Sequence, residues 1–142
     1  MIEYKGLDLD SLKNLAKELA MRAKVGDIYL LHGDLGAGKT TFTQAFVECL
    51  GVSPGSVNSP TFNLVHVYTA REFEVWHFDL YRLKNLEELR ELGLSDAINT
   101  GVTIIEWPEI AEGIFPKSAI RIHLKLVEGS PELRDVKVIN GY

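Results

Sequence analysis

The run Gly33-Asp34-Leu35-Gly36-Ala37-Gly38-Lys39-Thr40 constrains this chain more than any other feature. It fits G-x-x-x-x-G-K-[ST], a pattern that ordinary glycine usage produces by chance in about one chain in 200 of this length. Its flanks supply the context the pattern needs. On the N-terminal side, Ile28-Tyr29-Leu30-Leu31 is a short apolar run of the kind that forms a buried strand. On the other side, Phe42, Ala45, Phe46, Cys49 and Leu50 recur at helical spacing until Gly51 stops them. A glycine-rich loop between strand and helix lets successive backbone N–H groups converge on phosphate oxygens, and the helix adds its positive dipole end. Gly33, Gly36, Ala37 and Gly38 are therefore expected to cradle the phosphates of a nucleotide. Lys39, expected to face solvent, places a charge near the β and γ phosphates, the Thr40 hydroxyl ligates Mg²⁺, and Thr41 contacts the α phosphate.

A phosphate loop that does chemistry needs an acidic residue at the tip of a neighbouring strand, to organise magnesium or the attacking water. The chain offers two. Glu106 follows the continuous apolar run Val102-Thr103-Ile104-Ile105, with glutamate where aspartate is usual. Asp79 ends a strand in which Trp76, Phe78 and Leu80 alternate with His77, Asp79 and Tyr81, so it points away from the aromatic face. Either carboxylate could instead be a solvated strand end. Trp107 and Pro108 directly after Glu106 are unusual for an exposed loop, which favours a site there. Ser59-Pro60-Thr61-Phe62 stands where nucleotide switches carry a threonine that senses the γ phosphate and Mg²⁺. Arg82 is the only basic residue near these motifs by sequence, so no arginine finger or lid is evident, and no N-K-x-D motif reads guanine. ATP is the expected nucleotide. Cys49 reads as a core residue, His32, His66 and His123 show no metal-ligand spacing, and Glu87, Glu88 and Glu91 read as a solvated helix face.

The rest of the chain fills in an α/β fold. Leu12, Leu15, Ala16, Leu19, Ala20 and Ala23 predict a helix from about 10 to 24 behind Asp8 and Asp10. Segments 62–68 and 74–80 predict an antiparallel pair, Leu86, Leu89 and Leu92 a short helix ended by Gly93, and 120–126 with 135–139 a C-terminal hairpin. With the phosphate loop, this gives a P-loop NTPase-like three-layer fold with a mixed, mainly parallel central sheet plus antiparallel strand pairs. No repeat or linker divides residues 1–142, so one domain is expected. At 46% apolar and 25% charged residues, a chain of this size buries enough surface to need no metal or disulfide, and its single cysteine allows no internal bridge. A formal charge of −5 argues against gripping tRNA or DNA unaided. No apolar stretch is long enough for a bilayer and the start carries neither a basic leader nor an apolar segment, so a cytoplasmic protein is expected.

In order and spacing, Gly33 to Thr41, Ser59-Pro60-Thr61-Phe62, His77-Phe78-Asp79-Leu80-Tyr81-Arg82-Leu83 and Ile105-Glu106-Trp107-Pro108-Glu109 resemble the TsaE (YjeE) family of small bacterial P-loop ATPases. The likeness covers roughly residues 9 to 110, and the last 30 only as a strand pair. It implies a role in the threonylcarbamoyl modification of the tRNA adenosine beside the anticodon, in which the protein binds and hydrolyses ATP and engages the TsaD-TsaB transferase assembly without transferring the group itself. Carried over, Gly36 to Thr41 bind phosphates and Thr40 and Glu106 ligate Mg²⁺. Asp79 assists at the metal or water, Thr61 belongs to a switch-like loop, Trp107 lines the site, and Leu9 lies near the base. The residues alone leave open a small-molecule kinase, against which the missing lid counts, or a nucleotide-gated binding module without turnover.

Overall fold

Strands with apolar residues on both faces must be covered on both faces, and that requirement sets the layering here. The computed structural model describes all residues except 35, 59, 61–63 and 142. In chain order the elements are β1 (Ile2–Leu7), α1 (Leu9–Ala20), β2 (Ile28–His32), α2 (Lys39–Cys49), β3 (Val65–Thr69), β4 (Glu74–Asp79), α3 (Leu86–Glu91), α4 (Leu94–Thr100), β5 (Gly101–Glu106), a 3-10 segment (Pro108–Ile114), β6 (Ile120–Val127) and β7 (Ser130–Ile139).

The described strands form one seven-stranded sheet in the order β1-β7-β6-β2-β5-β4-β3. Its centre, β6-β2-β5-β4, is parallel, while β3 joins β4, β7 joins β6 and β1 joins β7 antiparallel. This is the mixed, centrally parallel α/β sheet expected from the sequence. On one face, Tyr29, Leu31, Val75, Val102, Ile104, Ile122, Leu124, Val136 and Val138 pack with α1 and α2. On the other, Ile28, Leu30, Phe78 and Ile105 pack with Leu89 of α3, Ala97 of α4 and Ala111 of the 3-10 segment.

Helix α1 begins where Asp8 accepts the Ser11 N–H at 2.8 Å, a cap that also holds the Asp8 carboxyl below its ordinary range. Its buried stripe, Leu12, Leu15, Ala16, Leu19 and Ala20, is the one read from the sequence, but the helix stops at Ala20 rather than near 24. Three further differences stand out. The exposed edge strand β1 adds a third antiparallel pair, α4 follows α3 after Gly93, and Cys49 lies half-buried at the core's margin. Among the described residues no helix is long and apolar enough to cross a membrane.

Candidate functional site

Strand β2 delivers the glycine-rich loop to the edge of the parallel sheet, at the carboxyl ends of its strands, where open α/β sheets bind ligands. The turn into α2 is made at Gly38, whose φ of 107° lies in the left-handed region. A Cβ there would also stand 2.9 Å from the Leu12 side chain. No side chain caps α2 and its first turn holds no acid, so its leading N–H groups are left for an anion.

Register brings the two acids to this loop. Asp79 at the end of β4 is paired directly with Glu106 at the end of β5, and the Leu80 N–H donates to the Glu106 carbonyl at 3.1 Å, fixing the strand ends together. Asp79 shares its face with Val75 and His77, and Glu106 shares that of Val102 and Ile104, so both carboxylates lie on the α1/α2 side. That face is not solvated: Asp79 and Glu106 are 4% and 3% exposed. His77, fully buried, shares a 2.6 Å hydrogen bond between Nε2 and Glu106 Oε2, which fixes one carboxylate oxygen and turns the group. Asp79 Oδ1 accepts the Tyr81 N–H at 3.0 Å.

Lys39 departs from its expected exposure. It is 5% exposed, its ammonium donates to the Gly33 carbonyl, and it sits 3.5 Å from the centre of the Trp107 ring. Desolvation pushes its pKa down, against the opposing pull of Glu106, Glu109, Asp79 and Asp34. Trp107 reaches this position through a left-handed backbone (φ 56°, ψ 50°), which a tryptophan adopts only under constraint, and it leans on Tyr81 at 4.9 Å between ring centres.

One cavity of about 360 Å³ collects most of the expected residues: Leu9, Gly36, Gly38, Lys39, Thr40, Thr41, Asp79, Glu106 and Trp107. Gly33 and Ala37 line a neighbouring cavity of about 300 Å³, with Trp107 forming a wall of both. Thr61 lies outside the described residues. Arg134 of β7 lines the main cavity although nothing in the motifs announces it, so Arg82 is not the only nearby basic side chain. Among the described residues no three His, Cys, Asp or Glu side chains are arranged to hold a metal by themselves. The oxygens of Thr40, Asp79 and Glu106 instead suit a hard cation that brings most of its own ligands, as Mg²⁺ does on a nucleotide.

Comparison with known proteins places these features in context. A family model described as threonylcarbamoyl adenosine biosynthesis protein TsaE matches residues 7–134. The tRNA threonylcarbamoyladenosine biosynthesis protein TsaE of Rickettsia typhi is 39% identical over 128 residues, 90% of this chain and 89% of that protein. The protein of the same name in Bacillus subtilis is 38% identical over 125 residues, 87% and 77% of the two chains. Among solved structures, that of Bacillus subtilis YdiB superposes with a TM-score of 0.73 at 30% identity, covering 95% of this chain and 82% of that one.

Proposed function

This chain belongs to the TsaE family, and we propose from that premise that it serves tRNA threonylcarbamoyladenosine biosynthesis as a Mg²⁺-dependent ATPase working with a TsaD-TsaB assembly. The observation that carries the ATPase reading is the meeting of a phosphate loop, an uncapped helix start, a buried lysine and two paired strand-end carboxylates in one cavity. Nothing in a merely structural role asks for Asp79, Glu106 and Lys39 to be buried side by side, since isolated buried charges are costly.

In this reading the N–H groups from Gly36 to Thr41 hold the phosphates, and Lys39 leaves the Gly33 carbonyl to neutralise charge on the β and γ oxygens. The Thr40 hydroxyl and Glu106 would hold Mg²⁺, with His77 keeping the Glu106 carboxylate turned toward the cavity. When bound, the ion would screen the phosphate charge and polarise the bond to the leaving group. Asp79, on the adjoining strand end, orients the water that attacks the γ phosphorus. Trp107 closes one wall against solvent. Work on a tRNA-modifying assembly would place the protein in the cytoplasm, and its charge of −5 suits a helper that leaves the tRNA to its partners.

Phosphate release tests this directly. Purified protein with Mg²⁺ and ATP should release phosphate, and chelation of Mg²⁺ should abolish it. Asp79→Ala and Glu106→Ala should each lower the rate by about 100-fold or more while ADP binding stays measurable, because the loop backbone is untouched. Unchanged turnover in the Asp79 variant would reduce that residue to a structural part, and no nucleotide binding by the parent would overturn the reading.

A further inference from the structure

Trp107 walls both cavities at the phosphate loop, and the chain behind it is fastened on the opposite face of the sheet from Asp79 and Glu106. His32 ends β2 immediately before Gly33, on the face of Leu30, against which the 3-10 segment Pro108–Ile114 packs. It is paired in register with His123 of β6, and the two rings stack 4.3 Å apart at 12°. His32 Nδ1 shares a 2.9 Å hydrogen bond with Glu109 Oε1. Its Nε2 faces Glu112 Oε2 at 3.9 Å, too far for a hydrogen bond, and both atoms are buried without a hydrogen-bond partner among the described residues. Glu112 is held in that pose, because Arg121 Nε donates to its Oε1 at 3.0 Å. Between the two glutamates, Ala111 breaks the 3-10 segment with a non-helical backbone (φ −125°, ψ 23°).

A neutral imidazole has a single N–H. With that hydrogen on Nδ1 for Glu109, Nε2 presents a lone pair to a carboxylate oxygen, and the two repel. A second proton makes Nε2 a donor and puts a positive ring between two carboxylates. Closing the gap by about 1 Å then completes a charge-assisted hydrogen bond. The remaining charges on this face belong to Arg121, His123 and Lys125 of β6, to Lys137 of β7, which pairs with His123, and to Asp34, which lines a cavity with Glu109 and Lys125. Burial pushes the His123 pKa down, and His32, Lys137 and Arg121 add to the effect against Glu112. His123 is thus the neutral member of the stack, and His32, with a carboxylate at each nitrogen, is the member placed to carry the charge.

We propose that His32 is a positioning residue that works as a proton-operated latch: charged, it joins Glu109 to Glu112 across the Ala111 break and pins the segment behind Trp107 to the root of the phosphate loop. Neutral, it holds Glu109 alone, and the part of the segment beyond Ala111 is free of it. The latch is a property of the unliganded protein. Its consequence for the site, slower ADP release as pH falls, rests on the nucleotide-binding reading above.

Backbone hydrogen exchange over residues 108–114 of the unliganded protein reads the latch, with His32→Asn as the comparison. Asparagine keeps a donor for Glu109 and does not titrate, and comparing the two proteins at each pH cancels the intrinsic pH dependence of exchange. The two should exchange alike at about pH 8, and the parent about 10-fold more slowly at about pH 5.5, the lower end for a hydrogen bond to a charged group. A ratio that does not change with pH would overturn the proposal. An NMR titration of the His32 ring guards against a substitution that loosens the segment by itself. Glu112→Gln keeps an oxygen for Arg121 but loses the charge, and should weaken the proton affinity of His32 by about tenfold; an unchanged midpoint would overturn the latch. Over the same pH range, ADP release from the parent should slow by about threefold or more relative to His32→Asn. Equal release at every pH would leave His32 a structural tie and overturn its positioning role. A parent that binds no ADP would overturn the nucleotide-binding reading, while exchange and titration would still decide the latch.

Discussion

Lys39 is held in a place that suits an ammonium poorly. Its ammonium is buried under the Trp107 ring, with burial lowering its pKa despite four nearby carboxylates. Replacing it with methionine keeps the hydrophobic stem and removes the desolvated charge. Lys39→Met should therefore leave the unliganded fold as stable as the parent or more stable by about 1 kcal/mol, while ATP affinity falls by about 100-fold or more. The sign of the pH effect follows from the lowered pKa. The unfolded chain keeps its lysine proton to higher pH than the folded one, so the parent gains stability relative to the variant as pH rises toward 10.5. Thermal melts of both proteins between pH 8 and about 10.5 read the difference, and a constant gap would show that Lys39 has no such burden. The glycine-rich loop between β2 and α2 was legible because a strand, loop and helix in succession are local in sequence. His77 and Arg134 were not, since their partners stand 29 and 97 residues away. The available signal was a polar residue at an inward position of an alternating strand, beside Val75 in one case and Val136 in the other.

At the level of elements, the strongly apolar strands β2 and β5 were read within a residue of their ends, because a strand covered on both faces is apolar throughout. Strand β4 shows the limit of alternation: its polar set faces a second packed layer instead of water, and only the sheet order reveals that. Strand β1 escaped notice because an exposed edge strand carries little apolar pattern, and α4 because Ala97 is its only fully buried residue. The close approach of β4 and β5 makes a further prediction. Gly101 opens β5 with an extended backbone, yet a Cβ there would stand 2.0 Å from the Glu74 carbonyl oxygen, which is backbone and cannot swing aside. Gly101→Ala should force the strands apart at that end and cost about 1–3 kcal/mol, a fall of roughly 3–10 °C in Tm. Asp79 and Glu106 lie at the other end of the pair, so ADP affinity should change by less than about threefold. An unshifted melting temperature would mean that the two strands are not so tightly apposed.

For the molecule as a whole, the sheet order turns separate motifs into one site and also decides what the site lacks. It brings β2, β4 and β5 side by side, and folds β7 around so that Arg134 meets the phosphate loop. Arg134 meets the loop at the Ala37 carbonyl and lines the same cavity as Lys39, Asp79, Glu106 and Trp107. On the proposed reading, the cation expected beside the γ phosphate is Lys39, which is already shared with the Gly33 carbonyl. A second positive group supplied by a partner at this kind of site is worth roughly 10³ to 10⁵ in rate. The isolated protein should accordingly hydrolyse ATP slowly and be accelerated by a TsaD-TsaB assembly. If docking depends on the γ phosphate, the partner must bind the ATP form more tightly than the ADP form, and by linkage must tighten ATP relative to ADP by the same factor. Turnover at saturating ATP, with and without the partner assembly, and pull-down under ATP and under ADP measure the two halves of that statement. Equal turnover together with equal docking would leave a self-sufficient enzyme; acceleration with equal docking would keep the added cation but remove the nucleotide switch.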